Sequence, residues 1–330
     1  MKRKITGCGF SCVDIIKSDE GIVTDIGGTC ANVLSILNCL NWEAEIWTPK
    51  YEETFFEACL TGRGIKCVQF ANTKKKVPRV LQINDKKTSQ HKFITRCPQC
   101  GNRFAEYVLP TVKQVEKEKY QKGMVFFCDR ISEGISKLAE ITKANGGYTM
   151  YEPNGFRIYE KFINNCKIFD IVKFSEEKLS DRQKKAVLDD LQISAVQLII
   201  MTNGQLGLKF AFRDQNNRLS EWNQMDAVPT DKLKDSSGAG DWLTASFLNC
   251  FFSWNKYTGQ FQNCDYIRLC LRKAMDIAAM SCGYIGAQGA LRDEKIFQEM
   301  SLLPVAMEVF RREKPEFKDF YCVACGAQII

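Results

Sequence analysis

Apolar positions fall along the chain at two alternating spacings. Short strand-like apolar runs trade places with segments that repeat every three to four residues, the period of a helix. Residues 4–13 read as a first strand, and residues 29–40 place Val33, Leu34, Leu37 and Leu40 at helical spacing after Thr29, a candidate N-cap. Ala44–Thr48 and Cys67–Phe70 read as short strands, with a helix from about Glu53 to Thr61 between them. Residues 77–108 break the rhythm: the strand-like runs Val80–Ile83 and His91–Thr95 flank a polar turn, the pattern of a hairpin added to the core as a flap. Alternation then resumes with strand 123–128, helix 131–144, strands 147–151 and 168–173, helix 181–191 and strand 196–202. A β-rich piece at 206–222 precedes helices at 238–252, 265–281 and 294–302. Such alternation predicts an α/β fold whose mainly parallel sheet is covered on both faces.

Composition adds limits. At 330 residues, 45% hydrophobic and 26% charged, the chain has the make-up of an ordinary globular protein with a sizeable core. It holds no apolar run of membrane-spanning length, and the basic start Met1-Lys2-Arg3-Lys4 leads into a strand-like segment, so a cytoplasmic location is expected. Most of the sixteen cysteines, such as Cys39, Cys59, Cys128, Cys250 and Cys270, stand singly in apolar segments and read as small buried hydrophobes in a reducing compartment. The net charge of +7 is mild. Its lysine runs, Lys74-Lys75-Lys76 and Lys86-Lys87, lack interleaved aromatic residues and read as solvated loops, which argues against nucleic acid as a partner.

Candidate chemistry concentrates in Asp235-Ser236-Ser237-Gly238-Ala239-Gly240-Asp241, followed by the apolar run Trp242–Leu248. Small residues opening a buried helix let first-turn amides approach an anion, which the helix dipole also favours. Asp241 then stands where a carboxylate can take a proton from an attacking hydroxyl, an arrangement suited to phosphoryl transfer. Further small-residue turns end other strands: Asp14, Gly27-Gly28 with Asn32 one turn into a helix, and Thr202-Asn203-Gly204 with Gly207.

In this order the segments resemble the ribokinase-like (PfkB) carbohydrate kinase family, over roughly residues 4–290. That family carries an Asp after the first strand, Gly-Gly with an Asn four residues on, Thr-x-Gly-x-x-Gly, and Asp-Thr-x-Gly-Ala-Gly-Asp. Glu152-Pro153-Asn154 with Arg157 is similar to the Asp-Pro-Asn-x-Arg segment of its sugar kinases. The resemblance implies a three-layer ribokinase-like sandwich and a kinase that uses ATP and Mg2+ to phosphorylate a sugar or nucleoside. It implies Asp241 as base, with the Gly238, Ala239 and Gly240 amides as anion hole. Asp14, Gly27, Gly28, Asn32 and Arg157 would bind the substrate, Thr202, Gly204 and Asn154 would line the nucleotide side, and the flap would act as a lid. Lys178 stands where the family's magnesium-associated segment ends in Glu, which leaves Glu177 as its substitute. The Gly-x-Asp segment is missing around Thr48-Pro49-Lys50, so a non-catalytic binding or regulatory descendant is the rival reading.

Cys97-x-x-Cys100-Gly101 and Cys322-x-x-Cys325-Gly326 share one form, the common half-site of a tetrahedral structural Zn2+. Together they make one four-cysteine site that would staple a C-terminal tail, residues 311–330, to the flap of a kinase domain spanning 1–310. Whether it closes within one chain or across a homodimer contact is open. His91 reads as a flap residue rather than a ligand.

Overall fold

A computed structural model describes residues 2–330 except 20, 86–89, 105, 119, 121–123, 231, 254–258, 301–319 and 323. The expected charged tail segment at 311–318 and Lys86-Lys87 lie outside the described residues. In chain order the strands and helices are β1 (Lys4–Cys8), β2 (Cys12–Ser18), β3 (Gly21–Gly27), α1 (Thr29–Cys39), β4 (Glu43–Lys50), α2 (Phe55–Gly62), β5 (Lys66–Asn72), β6 (Arg79–Asp85), β7 (Gln90–Ile94) and α3 (Val112–Lys117). They continue as β8 (Val125–Cys128), α4 (Glu133–Ala144), β9 (Tyr148–Tyr151), α5 (Tyr159–Cys166), β10 (Ile171–Ser175), α6 (Asp181–Gln192), β11 (Leu198–Thr202), β12 (Leu208–Phe212), β13 (Asn223–Met225), α7 (Ala239–Phe251), α8 (Cys264–Ser281) and α9 (Glu294–Met300).

Nine strands form the central sheet in the order β13-β12-β11-β10-β9-β8-β1-β4-β5. From β11 to β5 every pair is parallel, and only β12 and β13 run antiparallel at the edge. The inner strands are apolar throughout because both faces are covered: Val125–Cys128 is buried at all four positions. Val125 and Phe127 pack toward α1, α7 and α8, whereas Phe126 and Cys128 pack toward α4, α5 and α6. That is the three-layer α/β sandwich the pattern predicts. Helices α1 and α7 are buried on nearly every side, Cys30–Leu37 and Asp241–Asn249 without a break, so they read as near-continuous apolar runs.

The second sheet is larger than the expected flap. It has four strands in the order β3-β2-β6-β7, built from two hairpins that join where β2 lies parallel to β6. Neither hairpin would be stable alone, and their pairing supplies the missing neighbours. Residues 4–13 therefore do not form one strand: the chain leaves the central sheet after Cys8 and enters the second sheet at Cys12. At that exit a side chain on Gly9 would lie 1.9 Å from Asp129 Oδ1, so only glycine fits. Helix α1 begins differently from the expectation: Gly28, at φ +88°, is the N-cap, with no side chain capping, and Thr29 is already helical. Helices α3 and α5 were not anticipated. Only Phe162, Ile163 and Cys166 are buried on α5, too few positions to show a period. Among the described residues no helix is long and apolar enough to cross a membrane.

Candidate active site

Asp241 lies in the first turn of α7, buried at the carboxyl ends of the central strands. Its Oδ2 accepts a 2.6 Å hydrogen bond from Asn32 Nδ2 on α1. The two helices pack against one another, which brings together residues 209 positions apart in sequence. Burial pushes the Asp241 carboxyl up to about 8; the charges of Glu152 and Asp129 add to this, while the Asn32 hydrogen bond and Lys173 oppose it.

The turn before Asp241 is fixed by close contacts. Gly238 caps α7 in the left-handed region at φ +81°, and a side chain there would come within 2.4 Å of Ala287 Cβ. Trp242 Nε1 donates to Ala287 O at 2.8 Å from the same side. The expected anion hole is reduced by one donor, because Ala239 N–H already donates to Ser236 O at 3.3 Å. The amides of Gly238 and Gly240 donate to no group among the described residues. Asp235 holds the turn from beneath. It accepts from Ser237 N–H and Gly286 N–H, each at 2.9 Å, and from two lid side chains, Gln82 Nε2 at 2.7 Å and Asn84 Nδ2 at 2.9 Å. Burial opposes its charge, but these bonds win and hold Asp235 below the ordinary carboxylate range.

Asp14 sits on β2, a strand of the second sheet, rather than at the end of a central strand. Its carboxylate lies against the α-carbon of Gly27 on β3: a side chain at Gly27 would stand 1.8 Å from Asp14 Oδ2. Cys12 Sγ donates to Asp14 Oδ1 at 3.2 Å. Burial raises Asp14 to about 7 against the Cys12 bond, with help from Asp25 and Asp235. Gly28 turns the chain where a side chain would strike Phe10 O at 2.6 Å. Asp14, Gly27, Gly28 and Asn32 thus occupy one continuous stretch from the lid into α1, and Asp235 links that lid to the turn before Asp241.

Three charged residues on or just after central strands complete the surroundings. Glu152, after β9, pairs with Lys173 of β10 and accepts from Thr244 Oγ1 of α7 at 2.5 Å. Lys173 Nζ also donates to Gly240 O at 3.1 Å. Asp129, after β8, accepts from Phe10 N–H at 2.7 Å and from Arg130 at 3.0 Å, and burial lifts it to about 6 against those contacts. The sequence carried a signal for Asp129 and Lys173 that went unused. One follows an all-apolar strand directly, at the end of the sheet where ligands bind; the other is a lone lysine in the middle of a buried strand.

The remaining expected residues lie apart from this cluster. Asn154 and Arg157 are exposed on the loop after β9, while Glu152 of the same segment is buried. Thr202, at the end of β11, donates to Phe174 O at 3.4 Å. Gly204 stands at φ +49° with open space around it. Glu177 is exposed on the turn 176–178, and it is Glu176 that is buried, accepting from Asn203 and, at 3.5 Å, from Lys209.

Cys97, Cys100, Cys322 and Cys325 come together within one chain, all four sulfurs within 4.8 Å of one another. The turns that carry them are built alike. Gly101 N–H donates to Cys97 O at 2.9 Å and Gly326 N–H to Cys322 O at 2.8 Å. The two glycines have φ of +72° and +71°. Sulfur separations of 3.8 Å (Cys97–Cys325) and 3.7 Å (Cys100–Cys322) are too long for disulfides. They match the edge of about 3.8 Å that a tetrahedron of Zn–S bonds of about 2.3 Å requires.

The fold is similar to that of solved sugar and nucleoside kinases. A ribokinase from Giardia lamblia superposes with a TM-score of 0.73 at 14% identity, covering 92% of this chain and 100% of its own. A fructokinase with bound ATP from Xylella fastidiosa gives 0.68 at 16%, covering 87% and 94%. The aminoimidazole riboside kinase from Salmonella enterica, complexed with aminoimidazole riboside and an ATP analogue, gives 0.65 at 15%, covering 91% and 100%. No protein-family model matches the sequence, and no curated protein matches it. At these identities the likeness shows the fold: the chain has the ribokinase fold.

Proposed function

We propose that this chain is an ATP-dependent kinase that phosphorylates a hydroxyl of a sugar or sugar-like small molecule. The observation that carries the reading is Asp241, buried in the first turn of α7 with one carboxylate oxygen held by Asn32. The second oxygen is left to accept the proton of an acceptor hydroxyl. The amides of Gly238 and Gly240, at the positive end of α7, meet the charge on the transferring group, a type of contact whose loss costs about 3–4 kcal/mol per donor in oxyanion holes. Asp14 and Asn32 bind acceptor hydroxyls, and the bare Gly27 and Gly28 backbone lets the acceptor approach. Arg157 reaches the acceptor only if its exposed loop closes over it. Thr202 and Gly204, with Asn154 across the sheet, line the nucleotide side, where the open space at Gly204 suits a flat base. Mg2+ held with the nucleotide through Glu177 would supply neutralisation of phosphate charge, a role that suits a hard cation and oxygen donors.

A sugar is favoured over a nucleoside by Glu152-Pro153-Asn154 with Arg157, the segment that resembles one of the family's sugar kinases. The four cysteines hold a structural Zn2+; a closed set of four thiolates leaves no position for catalysis. An ATP-consumption screen over sugars and nucleosides tests the reading. Turnover is expected with at least one acceptor, rising with pH through about 8 as Asp241 loses its proton, and Asp241→Asn is expected to lower it by about 10²–10⁴-fold. No turnover with any acceptor, together with no ATP binding, favours the non-catalytic descendant, to which Lys178 already points.

A further inference from the structure

Behind Asp241 runs a chain of hydrogen bonds that can be polarised in one direction only. Arg63 Nη1, from the end of α2, donates to Gln288 Oε1. Gln288 Nε2 donates to Asn32 Oδ1 at 2.9 Å, and Asn32 Nδ2 donates to Asp241 Oδ2 at 2.6 Å. All four residues are buried, at 3–9% exposure. A guanidinium has donors and no acceptor, so the Gln288 atom facing it must be the oxygen. The Gln288 amide group then faces Asn32, whose oxygen must meet it, and only the Asn32 NH2 remains to face Asp241. Either amide, left alone, could turn over and present its oxygen instead. The far end of the chain is itself pinned, since Arg63 pairs with Asp25, which also accepts from Arg292 Nη2 at 2.5 Å and from Ile26 N–H at 2.8 Å.

We infer that Gln288 is a positioning residue for the base: with Arg63 it fixes the orientation of Asn32 so that Asp241 always receives a donor on Oδ2. The inference rests on the reading of Asp241 as base and deepens it. A donor on Oδ2 favours the ionised carboxylate against burial and against the charges that face it. Those are Glu152 after β9 and Asp129 after β8, with Lys173 on β10 the opposing cation and Cys30 the titratable group on α1. Without Gln288, Asn32 is free to offer its oxygen, which favours the protonated acid and moves ionisation of the base to still higher pH.

The test is a 13C NMR titration of the aspartate carboxyl carbons in the full chain, with Asp241→Asn identifying the resonance. Gln288→Leu is expected to raise the Asp241 midpoint by about one pH unit, and Asn32→Ala by at least as much. In the Asn32→Ala background, Gln288→Leu should add nothing, because Gln288 acts only through Asn32. Gln288→Glu keeps a partner for Arg63 and serves if the leucine variant does not fold. Any shift its new charge causes directly survives in the Asn32→Ala background, whereas the relayed part disappears. An unmoved midpoint in both Gln288 variants, or shifts that simply add to that of Asn32→Ala, would overturn the inference. Failure of the base reading looks different: Asp241→Asn would keep its turnover whatever the titration shows.

Discussion

At Gly27 a single methyl group would occupy the place of the Asp14 carboxylate. The glycine is in extended lid strand β3, so its role is steric: the missing side chain is the seat of a neighbour's functional group. Gly27→Ala should therefore fold, push Asp14 away from its bond with Cys12, and raise the acceptor KM about tenfold or more, the loss of one charge-assisted hydrogen bond of about 1.5–3 kcal/mol. Steady-state kinetics beside a melting curve checks it; a KM unchanged while stability falls would make Gly27 a packing residue only. Gly238 differs, since both its left-handed φ and the Ala287 contact exclude a side chain. The same scale explains what was legible. Asp241, Gly238 and Asn32 lie within recognisable local runs. Gln288 and Arg63 do not, because their chemistry depends on partners 225 residues apart that no spacing could join.

Among the elements, the lid is tied directly to the anion turn. Gln82 and Asn84 lie two residues apart on β6, so both point to the same face, and both donate to Asp235, Gln82 also to Ser237 Oγ at 3.1 Å. The turn before Asp241 is thus braced by a strand of the second sheet. Gln82→Ala should weaken the closed arrangement about tenfold, as expected for one bond to a charged acceptor. Hydrogen exchange at the β6 amides would then speed up by a similar factor, and unaltered exchange would mean that the lid is held elsewhere. The lid was also where the sequence misled. Val80–Ile83 and His91–Thr95 were visible as a hairpin, but the other half, β2 and β3, lay hidden behind residues 4–13, where one apolar alternation passes through two sheets. Period alone cannot show that a chain has changed sheets; the close approach at Gly9 does. The central strands and their order of alternation were legible because buried parallel strands are apolar throughout.

For the molecule as a whole, the cysteine cluster joins parts of the chain that share no secondary structure. Phe320, buried, meets the Phe104 ring edge-on at 4.7 Å, and the Arg79 guanidinium of β6 lies 5.8 Å from the Phe320 ring centre. The last described residues are thereby fastened beside the foot of the lid. Metal analysis should find about one zinc per chain, lost equally in Cys97→Ser and Cys322→Ser. Loss should lower the melting temperature by about 5 °C or more, each kcal/mol being worth about 2–4 °C in domains of a couple of hundred residues. Two half-occupied sites, or loss in only one variant, would break the pairing. The spacing of each knuckle was legible from sequence, but their meeting within one chain was not. That meeting has a consequence for biogenesis. Cys322 follows Cys100 by 222 residues, so at synthesis rates of 5–20 residues per second the first pair of thiols waits about 10–45 s for the second. During that interval the nascent chain carries the Cys97 and Cys100 thiols without their partners. On the zinc reading, the four-thiolate site closes only after Cys322 and Cys325 have been made, and a chain cut short before Cys322 never completes it.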